Sequence, residues 1–282
     1  MIKKHLAAVL NEDILSIDSF SQGELGEIFK VYTATKTYIL KTSKSSTQLQ
    51  TEANILKDIN KYKIPVPSVY NVTETHLLME YMEEENISVE EQEIYTAKVL
   101  TDLHSVSNES RMYGYYYNTN IATFEQNNEQ TQYNWGLFLG QMRIMPMAKI
   151  CYDKGHIDKS MVDRLEGLCR DLYKRIDMSE ITPSLLHGDL RSSNILFNMN
   201  GATLINPAIY FGDREVDLAS IVMSNSFSES FFEKYNEIHL LSNDFYEVKV
   251  PLYQIYPILV HIALYGSDHL EPLENNLKRL KI

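Results

Sequence analysis

Apolar positions along this chain recur every second residue in some stretches and every three to four in others, and each change of period marks an element boundary. From Ile17 to Thr42, β-branched and aromatic residues mix with turn formers. Ile28-Phe29-Lys30-Val31-Tyr32 and Tyr38-Ile39-Leu40-Lys41 read as strands, with turns between them. Ser46 to Ile59 then takes the helical period, with Leu49, Ala53, Leu56 and Ile59 on one face and Glu52 beside that stripe. Ile64-Pro65-Val66-Pro67 breaks the helix, and Ser68–Val72 and His76–Tyr81 predict two more strands. Beyond the acidic run Glu83-Glu84-Glu85-Asn86 the helical period dominates, over Val89–Leu103, Trp135–Cys151, Asp158–Ile176 and Ala219–His239. It continues over Pro251–Leu280, with breaks expected at Pro257 and Pro272. Within this helical half, Ile195-Leu196-Phe197 and Thr203-Leu204-Ile205 flank Asn198-Met199-Asn200-Gly201, the pattern of a hairpin.

These elements predict an α+β chain of two lobes. Residues 1–82 form a small strand-rich lobe with one helix, and residues 83–282 a larger, mainly helical lobe, with a hinge near 80–86 where clustered carboxylates resist burial. A length of 282 residues and 44% hydrophobic content suffice for substantial cores. The 26 Lys and Arg against 38 Asp and Glu leave a formal charge of −12, which argues against a general affinity for nucleic acid. Two cysteines, Cys151 and Cys169, lack metal-ligand spacing and read as idle thiols of a reducing compartment. The opening Met1-Ile2-Lys3-Lys4-His5 leads into a short amphipathic stretch rather than an apolar signal core, and no continuous run of about 18 apolar residues is seen. The expectation is a cytoplasmic protein without membrane association.

The densest chemistry lies between Leu186 and Leu218. His187-Gly188-Asp189 with Asn194 five residues after the aspartate has the spacing of a phosphotransferase catalytic loop, in which an Asp orients the attacking hydroxyl and an Asn offers a hard oxygen to magnesium. Taken alone, Asp189 could be a turn residue and Asn194 a cap; the hairpin that follows at once favours the catalytic loop. Where a metal-binding aspartate is expected after that hairpin, the chain has Asn206. Lys41 at a strand end and Glu52 on the next helix are candidates for an ion pair that positions phosphates, against the plainer reading of two surface charges. Gly23 and Gly26 could let backbone amides approach phosphate, although Gly-x-x-Gly is often only a turn. The Glu80 carbonyl and Met82 amide could pair with adenine, or simply end an edge strand. Asp213 is expected to cap the next helix, Asp217 to accept amides of the catalytic loop, and His187 to support it. His104 reads as a helix-terminal or core histidine.

At these residues the chain resembles the fructosamine (ketosamine) kinase family. That family's loop reads H-G-D-L-W-S-G-N and its metal segment D-P-A-x-Y-Y-G-D-R-E-V-D-L-A. Here the corresponding runs are His187-Gly188-Asp189-Leu190-Arg191-Ser192-Ser193-Asn194 and Asn206-Pro207-Ala208-Ile209-Tyr210-Phe211-Gly212-Asp213-Arg214-Glu215-Val216-Asp217-Leu218-Ala219. Gly136–Asp158 and Tyr253–Gly266 resemble that family's substrate-lobe and C-terminal helices, so the likeness spans essentially the whole chain.

The resemblance implies a protein-kinase-like, aminoglycoside phosphotransferase-like fold. It also implies ATP and Mg2+ as cofactors and transfer of the γ-phosphate to a sugar hydroxyl of a small-molecule or protein-linked ketoamine. Asp189 would be the base, Asn194 and Asn206 the metal face, and Lys41 with Glu52 the phosphate grip. Three departures stand out: Glu24 and Glu27 beside the glycines, Arg191 (substrate-lining) and Ser193 in place of Trp and Gly, and Asn206 in place of Asp. Two alternatives stay open, a pseudokinase impaired by Asn206 and a kinase for an aminoglycoside or amino alcohol.

Overall fold

The structure, a computed structural model, describes residues 2–22, 26–43, 45–130 and 132–282. In chain order its main elements are α1 (Ile2–Leu10), β1 (Ser16–Gln22), β2 (Glu27–Tyr32), β3 (Thr37–Thr42), α2 (Ser46–Lys61), β4 (Val69–Val72), β5 (His76–Glu80) and α3 (Val89–His104). They continue with β6 (Thr119–Ile121), β7 (Phe124–Gln126), α4 (Trp135–Leu139), α5 (Met145–Asp153), α6 (Lys159–Arg170), β8 (Ser184–Leu186), β9 (Ile195–Asn198), β10 (Gly201–Leu204) and β11 (Tyr210–Gly212). The chain ends with α7 (Glu215–Ser224), α8 (Glu229–Asn236), α9 (Val250–Tyr253), α10 (Ile255–Tyr265) and α11 (Leu270–Arg279). Two compact units result. The first comprises Met1–Val99, Ala122–Phe124 and Ser193–Pro207, and so reaches past the division expected at 82/83; the second comprises Leu100–Ile121, Glu125–Ser192 and Ala208–Ile282.

In the first unit a five-stranded antiparallel sheet runs in the order β1-β2-β3-β5-β4. Alternation along β3 sends Tyr38 and Leu40 to one face, where they pack with Val31, Leu78 and Leu6 of α1. The amphipathic N-terminal stretch is thus a helix that covers this face. Ile39 and Lys41 take the opposite face. Helix α2 packs on β4 and β5 and buries Leu49, Ala53, Leu56 and Ile59, the stripe read from the sequence. Burying the leucine and isoleucine side chains of this stripe stabilises by roughly 1.5–3 kcal/mol each. The β9–β10 hairpin is tied to this unit by Leu204 N–H to the Pro65 carbonyl (2.9 Å) and Glu85 N–H to the Phe197 carbonyl (2.9 Å). Glu85 also accepts from Met199 N–H (2.7 Å), so the exposed acidic run is anchored to the hairpin.

The second unit is built around α10, whose Ile255, Tyr256, Ile258, Leu259, Val260, Ile262 and Ala263 are all buried. The helical run Phe245–Tyr265 is long and apolar enough to cross a membrane, yet most of it is buried inside the protein as a core helix. Several helices expected to be continuous are divided. Trp135–Cys151 contains a π turn at Gly140–Ile144 just before Pro146, whose missing N–H and bulky ring disturb the regular ladder. Ala219–His239 is two helices, because Asn225 adopts a left-handed conformation (φ 47°) after α7 and Ser228 caps α8. Pro257 and Pro272 lie inside the first turns of α10 and α11, where a proline's lost N–H costs nothing. The breaks therefore fall before them, at Gln254 and at Gly266–His269.

Candidate active site

In the first unit, the face of β3 that carries Ile39 brings Lys41 under α2. Its Nζ donates to Glu52 Oε1 at 2.5 Å and to Asn206 Oδ1 at 2.7 Å. Asn206 Nδ2 in turn donates to Asn194 Oδ1 at 3.1 Å, and the Ile205 amide to the Asn194 carbonyl at 3.0 Å. Four of the residues singled out from the sequence thus form one chain of contacts: Glu52, Lys41, Asn206 and Asn194. Asn206 has φ 52°, a left-handed conformation that Asn tolerates better than most residues.

Gly26 has a packing reason to be glycine, since a Cβ there would lie 1.7 Å from the Thr42 carbonyl oxygen of β3. Gly23 and Glu24 lie outside the described residues. At the end of β5, Glu80 is occupied with Ser68: its amide donates to the Ser68 carbonyl (2.8 Å) and its carboxylate accepts from the Ser68 amide (3.1 Å). Met82 follows, half-buried. Among the described residues no hydrogen bond joins Gly26, Glu80 or Met82 to Lys41 or Asn206.

In the second unit, β8 pairs antiparallel with β11, and the chain leaves β8 into His187-Gly188-Asp189. Gly188 has φ 82° and its Cβ would lie 2.2 Å from the Ala208 carbonyl oxygen, so only glycine fits this turn. Asp217, inside apolar α7, accepts from the His187 amide (2.7 Å) and the Gly188 amide (3.0 Å), and from His104 Nε2 (3.1 Å). His104 Nδ1 meets the Tyr235 hydroxyl at 2.7 Å. Burial alone would raise the Asp217 pKa, but the hydrogen bond and charge of His104, the field of His187 and the Gly188 amide outweigh it and hold the carboxyl below its ordinary value. The base of the loop is therefore clamped through its backbone.

Asp189 itself is 31% exposed, with Arg191 Nη2 3.6 Å from its Oδ2. Asp213 does more than cap: besides accepting from the Glu215 amide (3.1 Å), it binds Lys249 Nζ (2.9 Å) and the Tyr253 hydroxyl (2.6 Å). Lys249 also pairs with Glu215 at 2.8 Å, and Trp135 Nε1 donates to the Tyr253 hydroxyl at 3.0 Å. Burial pulls the Lys249 pKa down, yet Asp213 and Glu215 together raise it. Lys249, Tyr235 and Tyr253 were not expected here. Asp213 just before α7, and Glu215 and Asp217 in the first turn of this apolar helix, signal that buried partners must exist, but not which ones.

Asn194 and Asn206 are the side chains with which a divalent cation would have to be met. Their two amides carry no charge, each Oδ1 already accepts a hydrogen bond, and the Lys41 ammonium stands 2.7 Å from one of them. Arranged so, the set does not fit a divalent cation. Asp213 and Glu215, the nearest carboxylates in sequence that could replace the missing one, are buried and committed to Lys249. Among the described residues no group of three or more His, Cys, Asp or Glu side chains could hold a metal ion. The thiols are likewise inert: Cys151 donates to the Leu259 carbonyl, and burial pushes Cys151 up to about 11 and Cys169 up to about 12.

A model of the fructosamine kinase family matches residues 1–282. The chain belongs to the fructosamine kinase family. It is thereby a kinase, a phosphotransferase, as its sequence led one to expect. Among the relatives is the probable ketoamine kinase YniA of Escherichia coli O157:H7, 28% identical over 234 residues, which cover 81% of this chain and 79% of the relative. A crystal structure of a candidate fructosamine-3-kinase from Thermobifida fusca YX-ER1 superposes with a TM-score of 0.90 at 23% identity, covering 100% of this chain and 99% of that one. The ADP-bound aminoglycoside phosphotransferase APH(2″)-Ib gives a TM-score of 0.67 at 16% identity, over 99% and 96% of the two chains. Fructosamine kinases and aminoglycoside phosphotransferases share the α+β, kinase-like fold described here.

Proposed function

We propose that this fructosamine kinase family member transfers the γ-phosphate of ATP to a sugar hydroxyl of a ketoamine, free or protein-linked. The observation that carries this reading is the Lys41–Glu52 ion pair at 2.5 Å, a cation held ready on a strand end for phosphate oxygens. The nucleotide named in the ADP-bound relative of the same fold supports ATP as donor. In this reading residues 1–82 bind nucleotide and residues 83–282 carry the base and the acceptor. Lys41 neutralises α- and β-phosphate oxygens. Amides around Gly26 approach the phosphates, and the Glu80 carbonyl with the Met82 amide meets adenine.

The acceptor hydroxyl oxygen attacks the γ-phosphorus, the bond to the β,γ-bridging oxygen breaks, ADP leaves, and Asp189 takes the hydroxyl proton. The Asp217 clamp on the His187 and Gly188 amides fixes where that carboxylate sits. Magnesium is the usual companion of ATP in such enzymes, but no step is assigned to it at Asn194 and Asn206. The charge of −12 supports a small-molecule or glycated acceptor over nucleic acid, and a cytoplasmic setting suits it.

A second reading, a nucleotide-binding protein without turnover, is favoured by Asn206 alone. A cationic aminoglycoside or amino-alcohol acceptor is disfavoured by Arg191 beside the base. The test is ADP release and 31P detection of a sugar phosphate with synthetic fructosamines and ribulosamines. Turnover that falls at least about a hundredfold in Asp189→Asn is expected; nucleotide binding with no product from any ketoamine would leave the second reading standing.

A further inference from the structure

The loop that carries Asp189 holds a second group whose chemistry bears on the acceptor. Arg191 places a guanidinium nitrogen 3.6 Å from Asp189 Oδ2, near enough for charge attraction and too far for a hydrogen bond. The guanidinium forms no hydrogen bond among the described residues, and its side chain is 49% exposed. The backbone next to it is anchored, since the Ser192 amide donates to Ser226 Oγ at 3.2 Å. A planar fork of N–H donors is therefore presented from a fixed stretch of loop, beside the carboxylate assigned to the accepting hydroxyl. Such a fork matches the oxygens of a carboxylate or phosphate, and an exposed arginine without partners elsewhere would be only a solvated charge.

Resting on the kinase reading above, we propose that Arg191 is a specificity-determining residue that binds an oxyanion on the acceptor, so that the preferred substrate is a ketoamine with a negatively charged oxygen group close to the phosphorylated hydroxyl. Two sources share this chemistry. A ketoamine formed from a free α-amino acid brings a carboxylate attached next to its amine, and one formed from a sugar phosphate brings a phosphoryl group. A ketoamine on a lysine side chain within a protein brings neither, so the inference moves the preferred acceptor away from glycated protein and towards small anionic ketoamines.

The test compares kcat/KM of the full-length protein on three acceptors: fructosyl-glycine with its carboxylate, the neutral fructosyl-glycinamide, and fructosyl-glycinamide phosphorylated on the sugar. The same series is run with Arg191→Gln and Arg191→Lys. At least one anionic acceptor is expected to exceed the neutral one about tenfold, the scale of one charge-assisted hydrogen bond at a half-exposed position. That ratio should collapse towards one in Arg191→Gln and recover in part in Arg191→Lys. Whether the carboxylate or the phosphate arm leads identifies the source. Turnover of all three at equal efficiency, or a preference that survives Arg191→Gln, overturns the role of Arg191 while leaving the kinase reading intact. Turnover of none overturns the kinase reading, and the inference with it.

Discussion

Replacing Asn206 by Asp changes a few atoms and adds a negative charge beside Lys41, at the site proposed for phosphate. In the native chain the amide serves two neighbours at once, accepting from Lys41 at 2.7 Å and donating to Asn194 Oδ1 at 3.1 Å. The backbone tolerates the exchange, since Asp, like Asn, is enriched among residues with positive φ. The carboxylate keeps the Lys41 contact but turns the second one into two oxygens facing each other, which loses a hydrogen bond worth about 1 kcal/mol and creates a pair that wants a cation. A unit charge about 4 Å from another is worth roughly 4 kcal/mol at an effective dielectric near 20. Asn206 is exposed, so solvent screens much of this and about 1.5–2 kcal/mol should remain, a gain of roughly tenfold or somewhat more in magnesium affinity. The assay is calorimetric titration of a non-hydrolysable ATP analogue at a series of magnesium concentrations. The native protein should show nucleotide affinity that changes little with magnesium, and Asn206→Asp a steep dependence. Equal, strong magnesium dependence in both proteins would refute the reasoning, because it would mean that the hydrogen-bonded amides yield to the metal without cost.

Two further outcomes follow from buried groups. Asp217→Ala strips the partner from two loop amides and His104 and should cost about 3–5 kcal/mol in urea unfolding. The native Asp217 pKa lies below its ordinary value of 3.8, so its contribution is complete above that value and is lost as pH falls through the lower folded value. The acid limb of stability measured from pH 6 to pH 2 should accordingly flatten in the variant. Cys151, buried and pushed up to about 11, should react with a thiol reagent at pH 8 only after denaturation, and half-buried Cys169, pushed up to about 12, more slowly than a free thiol; rapid modification of Cys151 in the folded protein would contradict its burial.

What could be read in advance depended on how far apart the interacting residues lie in sequence. Lys41 and Glu52 were legible because each sits on an element whose period is visible. Alternation on β3 puts Lys41 on the face of Ile39, and the stripe of α2 sets Glu52 beside Ala53 and Leu56, so the two meet across a short connection. Asp217 was legible for a different reason: a carboxylate inside an apolar helix must find donors, and the glycine-bearing loop before it has free amides. Lys249 gave no such signal, since its two carboxylates lie 36 and 34 residues earlier and nothing in a polar residue near a proline names a distant partner. The pairing of β8 with β11 was hidden by the shortness of the strands, three residues each, too few to show a period. Prolines misled for a local reason: Pro257 and Pro272 read as breaks, whereas a first helical turn accepts proline and the chain stops just before it. Asn206 shows the limit most clearly. Its identity announced a missing charge, but only the fold brings its amide nitrogen to Asn194, so that the pair expected to hold a cation instead satisfies itself with a hydrogen bond.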